Sequence, residues 1–106
     1  MSRATSPAKS SREFAHTLVP VLRAISDESR LAILVTLARE TRTVVELTEE
    51  LAIAQPLVSH HLKTLREVGL VSVTAEGRSN RYAICCDAVT EPIRLLSGLA
   101  SASPKN

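Results

Sequence analysis

The chain has 106 residues, of which 44% are hydrophobic and 23% charged, so its length and composition are those of one globular domain. Aromatic residues make up only 2% of the sequence, which argues against recognition of single-stranded nucleic acid by base stacking. The formal net charge is +2, so any nucleic-acid binding must depend on where the basic side chains lie. Neither a membrane-spanning run nor a secretory signal is evident, which predicts a cytoplasmic protein without a membrane partner.

The spacing of hydrophobic residues predicts one domain over residues 12–100, between disordered tails at 1–11 and 101–106. The first helix is expected over about residues 12–25. A kink or a break is expected at Pro20, because proline has no backbone donor.

The next two helices are predicted from their caps. Asp27 is a good N-cap, and the apolar spacing after it predicts a second helix. Residues 41–43 are expected to form a short connection. Thr43 and Glu46 then have the spacing of a capping box, which predicts a third helix over residues 44–51.

A fourth helix and a hairpin follow. The helix is predicted over about residues 55–68 and ends at Gly69, in the usual C-terminal position of a glycine. Alternating and β-branched residues predict strands over residues 70–75 and 81–86, with a polar turn at 76–80 between them.

A last helix is expected after the hairpin, with Pro92 in its first turn and Asp87 or Thr90 as its cap. The resulting order is α-α-α-α-β-β-α. Two short helices joined by a brief link and followed by a hairpin are typical of a winged helix-turn-helix domain, a mainly α fold of the α+β type.

The fourth helix has the features of a helix that contacts DNA. Val58, Leu62 and Leu65 predict its buried face. The side chains that point away from this face carry hydrogen-bonding groups and a cation, which suits base edges and phosphates in a major groove. The predicted contacts are Gln55, Pro56, Ser59, His60, Lys63 and Thr64. A solvated amphipathic helix is the alternative, and His61, nearer the buried side, is predicted to be a packed, hydrogen-bonded histidine.

The predicted hairpin turn is basic. Arg78, Ser79, Asn80 and Arg81 lie in it or beside it, and Glu76 is the one acidic residue there. Two arginines on a turn are commonly only a solubility feature. Their position directly after the fourth helix instead favours a wing that lies along the sugar-phosphate backbone or in a minor groove.

Three segments together resemble a known family. Residues 22–34, LRAISDESRLAIL, resemble the second-helix signature of the ArsR/SmtB transcriptional regulators, and residues 55–71 resemble their recognition helix. Glu-Gly-Arg at 76–78, leading to Tyr82, resembles their wing. The resemblance covers about residues 20–86. It implies a homodimeric repressor of double-stranded operator DNA, paired through its first and last helices and responsive to an effector. The expected dimer-interface residues are Phe14, Leu18, Ile93, Leu96 and Leu99.

The sequence departs from the family pattern at the cap and at the metal sites. Ala54 stands where the family often has a capping Ser or Thr, at a cost of about 1 kcal/mol. The third helix lacks the Cys-x-Cys pair of the family's arsenic sensors. The last helix has Asp87 and Glu91 but none of the histidines that zinc and cobalt sensors use.

Three effector hypotheses remain open. Glu13 and His16 share one face of the first helix and could hold a divalent metal such as nickel or zinc, with further ligands from the partner subunit. Cys85 and Cys86 are expected on a strand, hence on opposite faces, and could respond to a soft metal or an oxidant. Adjacent cysteines do not readily form a structural disulfide, which suits a reducing cytoplasm. The third hypothesis is a regulator without any effector or cofactor.

Two other classes of protein fit less well. A winged-helix module that binds protein would present an apolar patch along residues 55–64 and the wing, whereas these segments are polar and basic. An enzyme would need a residue that orients a Cys–His pair, or a Gly-rich phosphate loop, and the sequence offers neither. We therefore expect a regulator that is not an enzyme.

Overall fold

The computed structural model describes residues 10–101. The helices in this range are α1 (Ser11–Ile25), α2 (Glu28–Arg39), α3 (Val44–Leu51), α4 (Gln55–Glu67) and α5 (Cys86–Ser101), and the strands are β1 (Arg42–Thr43), β2 (Val71–Glu76) and β3 (Ser79–Ile84). The predicted winged helix-turn-helix architecture is confirmed, with one additional short strand. Residues 1–9 and 102–106 of the predicted tails lie outside the described residues.

Helix α1 begins with a capping box and is continuous. The Ser10 hydroxyl accepts the Glu13 N–H at 3.1 Å, and the Glu13 carboxylate accepts the Ser10 N–H at 3.0 Å. The helix continues past Pro20 to Ile25, so the predicted break does not occur. A proline removes one hydrogen bond of the helix, and the packing of the buried Leu18 and the remaining bonds hold the helix together.

The predicted caps of α2 and α3 are present. The Asp27 carboxylate accepts the Arg30 N–H at 3.0 Å. In the capping box of α3, the Thr43 hydroxyl accepts the Glu46 N–H at 3.2 Å and the Glu46 carboxylate accepts the Thr43 N–H at 2.9 Å. These bonds satisfy N–H groups that a helix start leaves without an internal partner.

The sheet contains a strand where the sequence predicts a connection. Strand β1 pairs antiparallel with β3, with Arg42 opposite Tyr82 and Thr43 opposite Arg81. Strands β2 and β3 form the predicted hairpin, and the order across the sheet is β1-β3-β2. Two residues without a distinctive local pattern become a strand only because β3 lies beside them.

The predicted bounds of β3 are wrong at both ends, because the strand begins and stops earlier. The hairpin turn is only Gly77-Arg78, and the φ of +62° at Gly77 is in the left-handed region that favours glycine. At its other end β3 stops at Ile84, and Cys86 is the first residue of α5. The Cys85 N–H donates to the Leu70 carbonyl at 2.9 Å, after which the chain turns into the helix.

This early helix start changes two predictions about the C-terminal segment. Pro92 lies beyond the first turn of α5, and the predicted caps Asp87 and Thr90 lie inside the helix, because the helix already begins at Cys86. The two cysteines do not follow one another along a strand, so the inference that they lie on opposite faces of the sheet does not apply. Backbone geometry at this junction depends on the end of the sheet pairing, which the local sequence does not reveal.

The core lies between α2, α3, α4 and the start of β2. Its largest fully buried side chains are Ile33, Leu47, Val58, Leu62, Leu65 and Leu70. Burial of each such aliphatic side chain contributes about 1.5–3 kcal/mol relative to exposure. Three of these residues belong to α4, so the core fixes the rotation of that helix about its axis.

Candidate nucleic-acid interface

Helices α3 and α4 form the helix-turn-helix. The link between them contains Ala52, whose φ of 56° is left-handed and reverses the chain within a few residues. Ala54 precedes α4 and makes no side-chain cap bond, as its apolar side chain predicts, while its carbonyl accepts the N–H groups of Leu57 and Val58 at 3.0 Å. Because these two N–H groups are bonded within the helix and Pro56 has none, the start of α4 offers few backbone donors to a phosphate oxygen.

The side chains predicted to contact DNA lie on the accessible side of α4. Val58, Leu62 and Leu65 are at most 1% exposed, so the opposite face is directed to solvent. Among the predicted contacts, Thr64 is half-buried at the edge of this face. The exposed residues are Gln55, Pro56, Ser59, His60 and Lys63.

Leu57 is an accessible side chain that the sequence reasoning missed. It lies in the first turn of α4 and is 51% exposed, although it is a large aliphatic residue. Its position directly before the buried Val58, and so about 100° from it around the helix, is the signal that could have found it. An aliphatic group at this place is suited to contact with a thymine methyl group.

His61 is packed and hydrogen-bonded, as predicted. The ring is half-buried, and Arg30 Nη1 lies 3.4 Å from its Nδ1. Because an arginine only donates, Nδ1 is the acceptor of this bond. Arg30 Nε also donates to the carbonyl of Ala24 at 2.8 Å, so Arg30 connects the end of α1 to α4.

The hairpin presents one exposed group of polar side chains and one arginine held by neighbouring groups. Arg78 is exposed in the turn, and Ser79 and Asn80 are exposed at the start of β3. Arg81 is half-buried, and its Nε donates to Glu76 Oε1 at 2.9 Å. Arg81 and Arg78 therefore have different surroundings, although the sequence predicted the same role for both.

A cluster of ion pairs lies where β1 and β3 meet α3. Arg42 Nε donates to Glu50 Oε1 at 2.8 Å, and this hydrogen bond lowers the pKa of Glu50. The pKa of Glu46 is lowered first by the N–H that Thr43 donates and then by the charge of Arg81. Both carboxylates therefore stay ionised and keep their arginines attached to α3. The residues of this cluster line an open depression of about 590 Å³.

The residues proposed for sensing are not assembled into a complete site. His16 is exposed on α1, and one oxygen of Glu13 is already used in the capping box. Within residues 10–101, no group of three or more His, Cys, Asp or Glu side chains that the structure describes could hold a metal ion. Cys85 is half-buried. The side chains of Cys86, Asp87 and Glu91 lie outside the described part of the structure.

Three of the predicted dimer residues form an apolar stripe on α5. Ile93, Leu96 and Leu99 are 56%, 57% and 62% exposed. Phe14 is half-buried, whereas Leu18 is only 4% exposed and already packs within the protomer, so it offers almost no surface to a partner. Ile93 and Leu96 also line an open apolar cavity of about 280 Å³, together with side chains of α1, α2 and β3.

Helix α3 is joined by a tight link to α4, whose exposed face is polar, and a basic hairpin follows. This arrangement defines the winged helix-turn-helix class of regulators. The family profile described as bacterial regulatory protein, arsR family, matches residues 27–73. The chain belongs to the ArsR family, and it is a transcriptional regulator and not an enzyme. Among the helices that the structure describes, none combines the length and the hydropathy that a bilayer-spanning helix needs.

The similarity extends over most of the chain. An HTH-type transcriptional regulator of Methanocaldococcus jannaschii is 39% identical over 80 residues, which cover 74% of this chain and 90% of the relative. The transcriptional repressor SmtB of Mycobacterium tuberculosis is 39% identical over 80 residues, covering 76% of this chain but only 59% of SmtB. A homodimeric winged helix-turn-helix domain of Mycobacterium bovis superposes with a TM-score of 0.70 at 26% identity, covering 91% of each chain.

Proposed function

We propose that this protein is a repressor that binds double-stranded operator DNA as a homodimer in the cytoplasm, with residues 12–100 as its DNA-binding and dimerisation domain. The accessible face of α4 is the observation that carries this proposal. The buried side chains of α4 fix the orientation of the helix, so the polar side chains on its opposite face are exposed where a major groove of DNA could contact them.

The residues divide into two roles. Gln55, Ser59 and His60 have short polar groups near the helix start and read base edges, next to Pro56, which makes the helix entrance rigid. Cationic, hydroxyl and amide side chains contact phosphates and so position the protein without reading sequence. This second group consists of Lys63, Thr64, Arg78, Ser79 and Asn80.

Pairing through the first and last helices completes the DNA-binding unit. The stripe of Ile93, Leu96 and Leu99 is apolar and more than half exposed, and Phe14 lies on the helix that packs against α5. Burial of this stripe against a second copy would remove apolar surface from water and place two copies of α4 on one face of the dimer. The homodimeric state of the M. bovis domain supports a homodimer for this chain as well.

The proposed effector is a divalent metal such as nickel or zinc, held by His16 and Glu13. The two residues are one turn apart on α1, and the capping bond uses Glu13 Oε1, which leaves Oε2 for a metal. Two ligands make an incomplete site, so groups of the partner subunit must complete it. The alternative is a response of Cys85 and Cys86 to a soft metal or an oxidant. It is supported by the end of β3 at Ile84, because the rule that neighbouring strand residues point to opposite faces does not apply beyond the strand.

A mobility-shift experiment on the DNA upstream of the protein's own gene tests the regulator, with nickel, zinc and reductant varied in turn. We expect retardation of this DNA in preference to an unrelated duplex of equal length. Equal retardation of both duplexes would contradict sequence-specific binding.

Titration of nickel and zinc into three proteins tests the effector: the wild type, His16→Ala, and Cys85→Ser/Cys86→Ser. We expect loss of binding in His16→Ala and weaker binding at lower pH, because a protonated imidazole cannot bind a metal. Loss only in the double cysteine variant would replace the metal site on α1 with a thiolate site. Absence of binding in the wild type would leave a regulator without a metal.

A further inference from the structure

Arg81 is surrounded differently from the other cation of the hairpin. It lies in β3, the middle strand of the sheet, opposite Thr43 of β1 and Thr74 of β2. Its Nε donates to Glu76 Oε1 at 2.9 Å, across the hairpin. Its Nη1 donates to both the carbonyl and the hydroxyl of Thr41, each at 3.2 Å. One guanidinium thus joins both strands of the hairpin to the segment that leads into α3.

The same guanidinium also reaches the first turn of α3. Arg81 Nη1 lies 3.5 Å from Glu46 Oε1. That oxygen accepts the Thr43 N–H at 2.9 Å and so completes the capping box that starts α3. The oxygen that starts the first helix of the helix-turn-helix is therefore the one that attracts the hairpin.

We propose that Arg81 is a positioning residue that fixes the hairpin against the start of α3, and that it does not itself contact DNA. This inference rests on the proposed function, because it concerns how that function is achieved. By fixing β3, Arg81 sets where the hairpin turn and Arg78 lie relative to α4. Both surfaces must meet one duplex at once, and a hairpin held in place before binding loses less freedom on contact.

Charge and geometry together favour this role over a phosphate contact. The Arg81 side chain is 31% exposed, and the pKa of Arg81 is raised, chiefly by the hydrogen bond to Glu76 and further by Glu46. Two carboxylates and the two oxygens of Thr41 already surround the guanidinium. To contact Arg81, a phosphate would have to displace the two carboxylates, which are negatively charged like the phosphate, or lie close beside them. By contrast, Arg78 is exposed at the turn.

Substitution of Arg81 by lysine separates the two roles. A lysine keeps the charge that a phosphate contact needs, but it lacks the planar fork that bonds Glu76 and Thr41 at the same time. The probe is a duplex that the wild-type protein selects from a random pool. We expect Arg81→Lys to weaken binding to it about twofold to fivefold, the range that an exposed ion pair supplies, and as much as Arg81→Gln does. Wild-type affinity in Arg81→Lys would overturn the proposal.

Substitution of Glu46 gives opposite results for the two roles. Glu46→Gln keeps an oxygen for the Thr43 N–H, because glutamine also serves in a capping box, and it removes the charge that attracts Arg81. A positioning role requires weaker DNA binding in this variant. A phosphate contact would instead be strengthened, because Arg81 would be released and a negative charge removed. Glu49→Gln, which removes the same charge from an exposed residue of α3, is the control and should bind at least as well as the wild type.

Amide hydrogen exchange of the free protein tests the same interaction without DNA. We expect faster exchange in β2 and β3 of Arg81→Lys and Glu46→Gln, and wild-type exchange in Glu49→Gln. Unchanged protection of the hairpin in the first two variants would overturn the proposal. Failure of the wild type to prefer any duplex would refute the proposed function, and the exchange rates would still decide whether Arg81 holds the hairpin.

Discussion

Arg30 and His61 are 31 positions apart in the sequence, and in the structure Arg30 Nη1 lies 3.4 Å from His61 Nδ1. The same arginine donates from Nε to the carbonyl of Ala24 at the end of α1. One side chain of α2 thus connects α1 to the helix that is proposed to read DNA.

His61 and His60 provide a matched pair for testing this connection. We expect His61→Ala to lower the free energy of unfolding by about 1 kcal/mol, because a half-buried ring and its hydrogen bond are removed. His60→Ala should change it by less than about 0.5 kcal/mol, because that side chain is exposed. Urea denaturation followed by circular dichroism measures both. Equal destabilisation by the two substitutions would contradict the structural role of His61.

Asp27 should make the stability of the fold depend on pH in the acid range. Its pKa is lowered from 3.8, first by the N–H that Arg30 donates, although partial burial opposes the shift. A carboxyl whose folded pKa is depressed stabilises the protein above its unfolded value, and this contribution is lost as the pH falls through the folded pKa. We therefore expect the wild type to lose stability between about pH 5 and pH 3.

Asp27→Asn isolates the Asp27 contribution. Asparagine still caps a helix but does not ionise in this range, so the variant should lose less stability than the wild type over the same pH interval. Glu46 and Glu50, whose pKa values are also lowered, are present in both proteins and contribute equally. If the urea midpoints of the two proteins fell by the same amount from pH 5 to pH 3, Asp27 would not be the cause of the pH dependence.

The proposed base-reading and phosphate-binding residues should respond differently to substitution. We expect Ser59→Ala to reduce discrimination between the selected duplex and random DNA by about 1–3 kcal/mol. Lys63→Ala and Arg78→Ala should weaken binding to all duplexes. Each should also reduce the salt slope, which is the slope of log affinity against log salt concentration, by about one for every phosphate that the protein no longer neutralises. Fluorescence anisotropy at several salt concentrations measures both quantities. Arg12→Ala, at the exposed start of α1, controls for net charge and should keep the wild-type slope.

The apolar stripe of α5 should be necessary for the dimer. We expect Leu96→Glu to be monomeric and to bind operator DNA much more weakly, because a charge would be buried in the interface. Gly98→Glu places the same charge about 200° around the helix, where an added Cβ meets no described atom within 4 Å, and it should remain dimeric. Sedimentation velocity distinguishes the two states. A dimer in Leu96→Glu would exclude this interface.

Much of the helical framework could be predicted from the sequence, because its signals are local. The capping box of Thr43 and Glu46 and the cap at Asp27 involve residues three positions apart, and the buried face of α4 follows from the spacing of its own apolar residues. Such patterns depend on the geometry of a single helix. The polar face of α4 and the exposed hairpin turn therefore also followed from the sequence.

Tertiary structure decided the features that depend on distant partners. β1 is a strand only because β3 pairs with it, and the end of that pairing places Cys86 in α5. Arg78 and Arg81 are chemically identical and three positions apart, yet only Arg81 is placed beside carboxylates, Glu76 by the pairing of the hairpin and Glu46 by packing against α3. A side chain's type fixes which interactions it can make. Which of them it does make depends on the groups that the fold brings within a few ångströms of it.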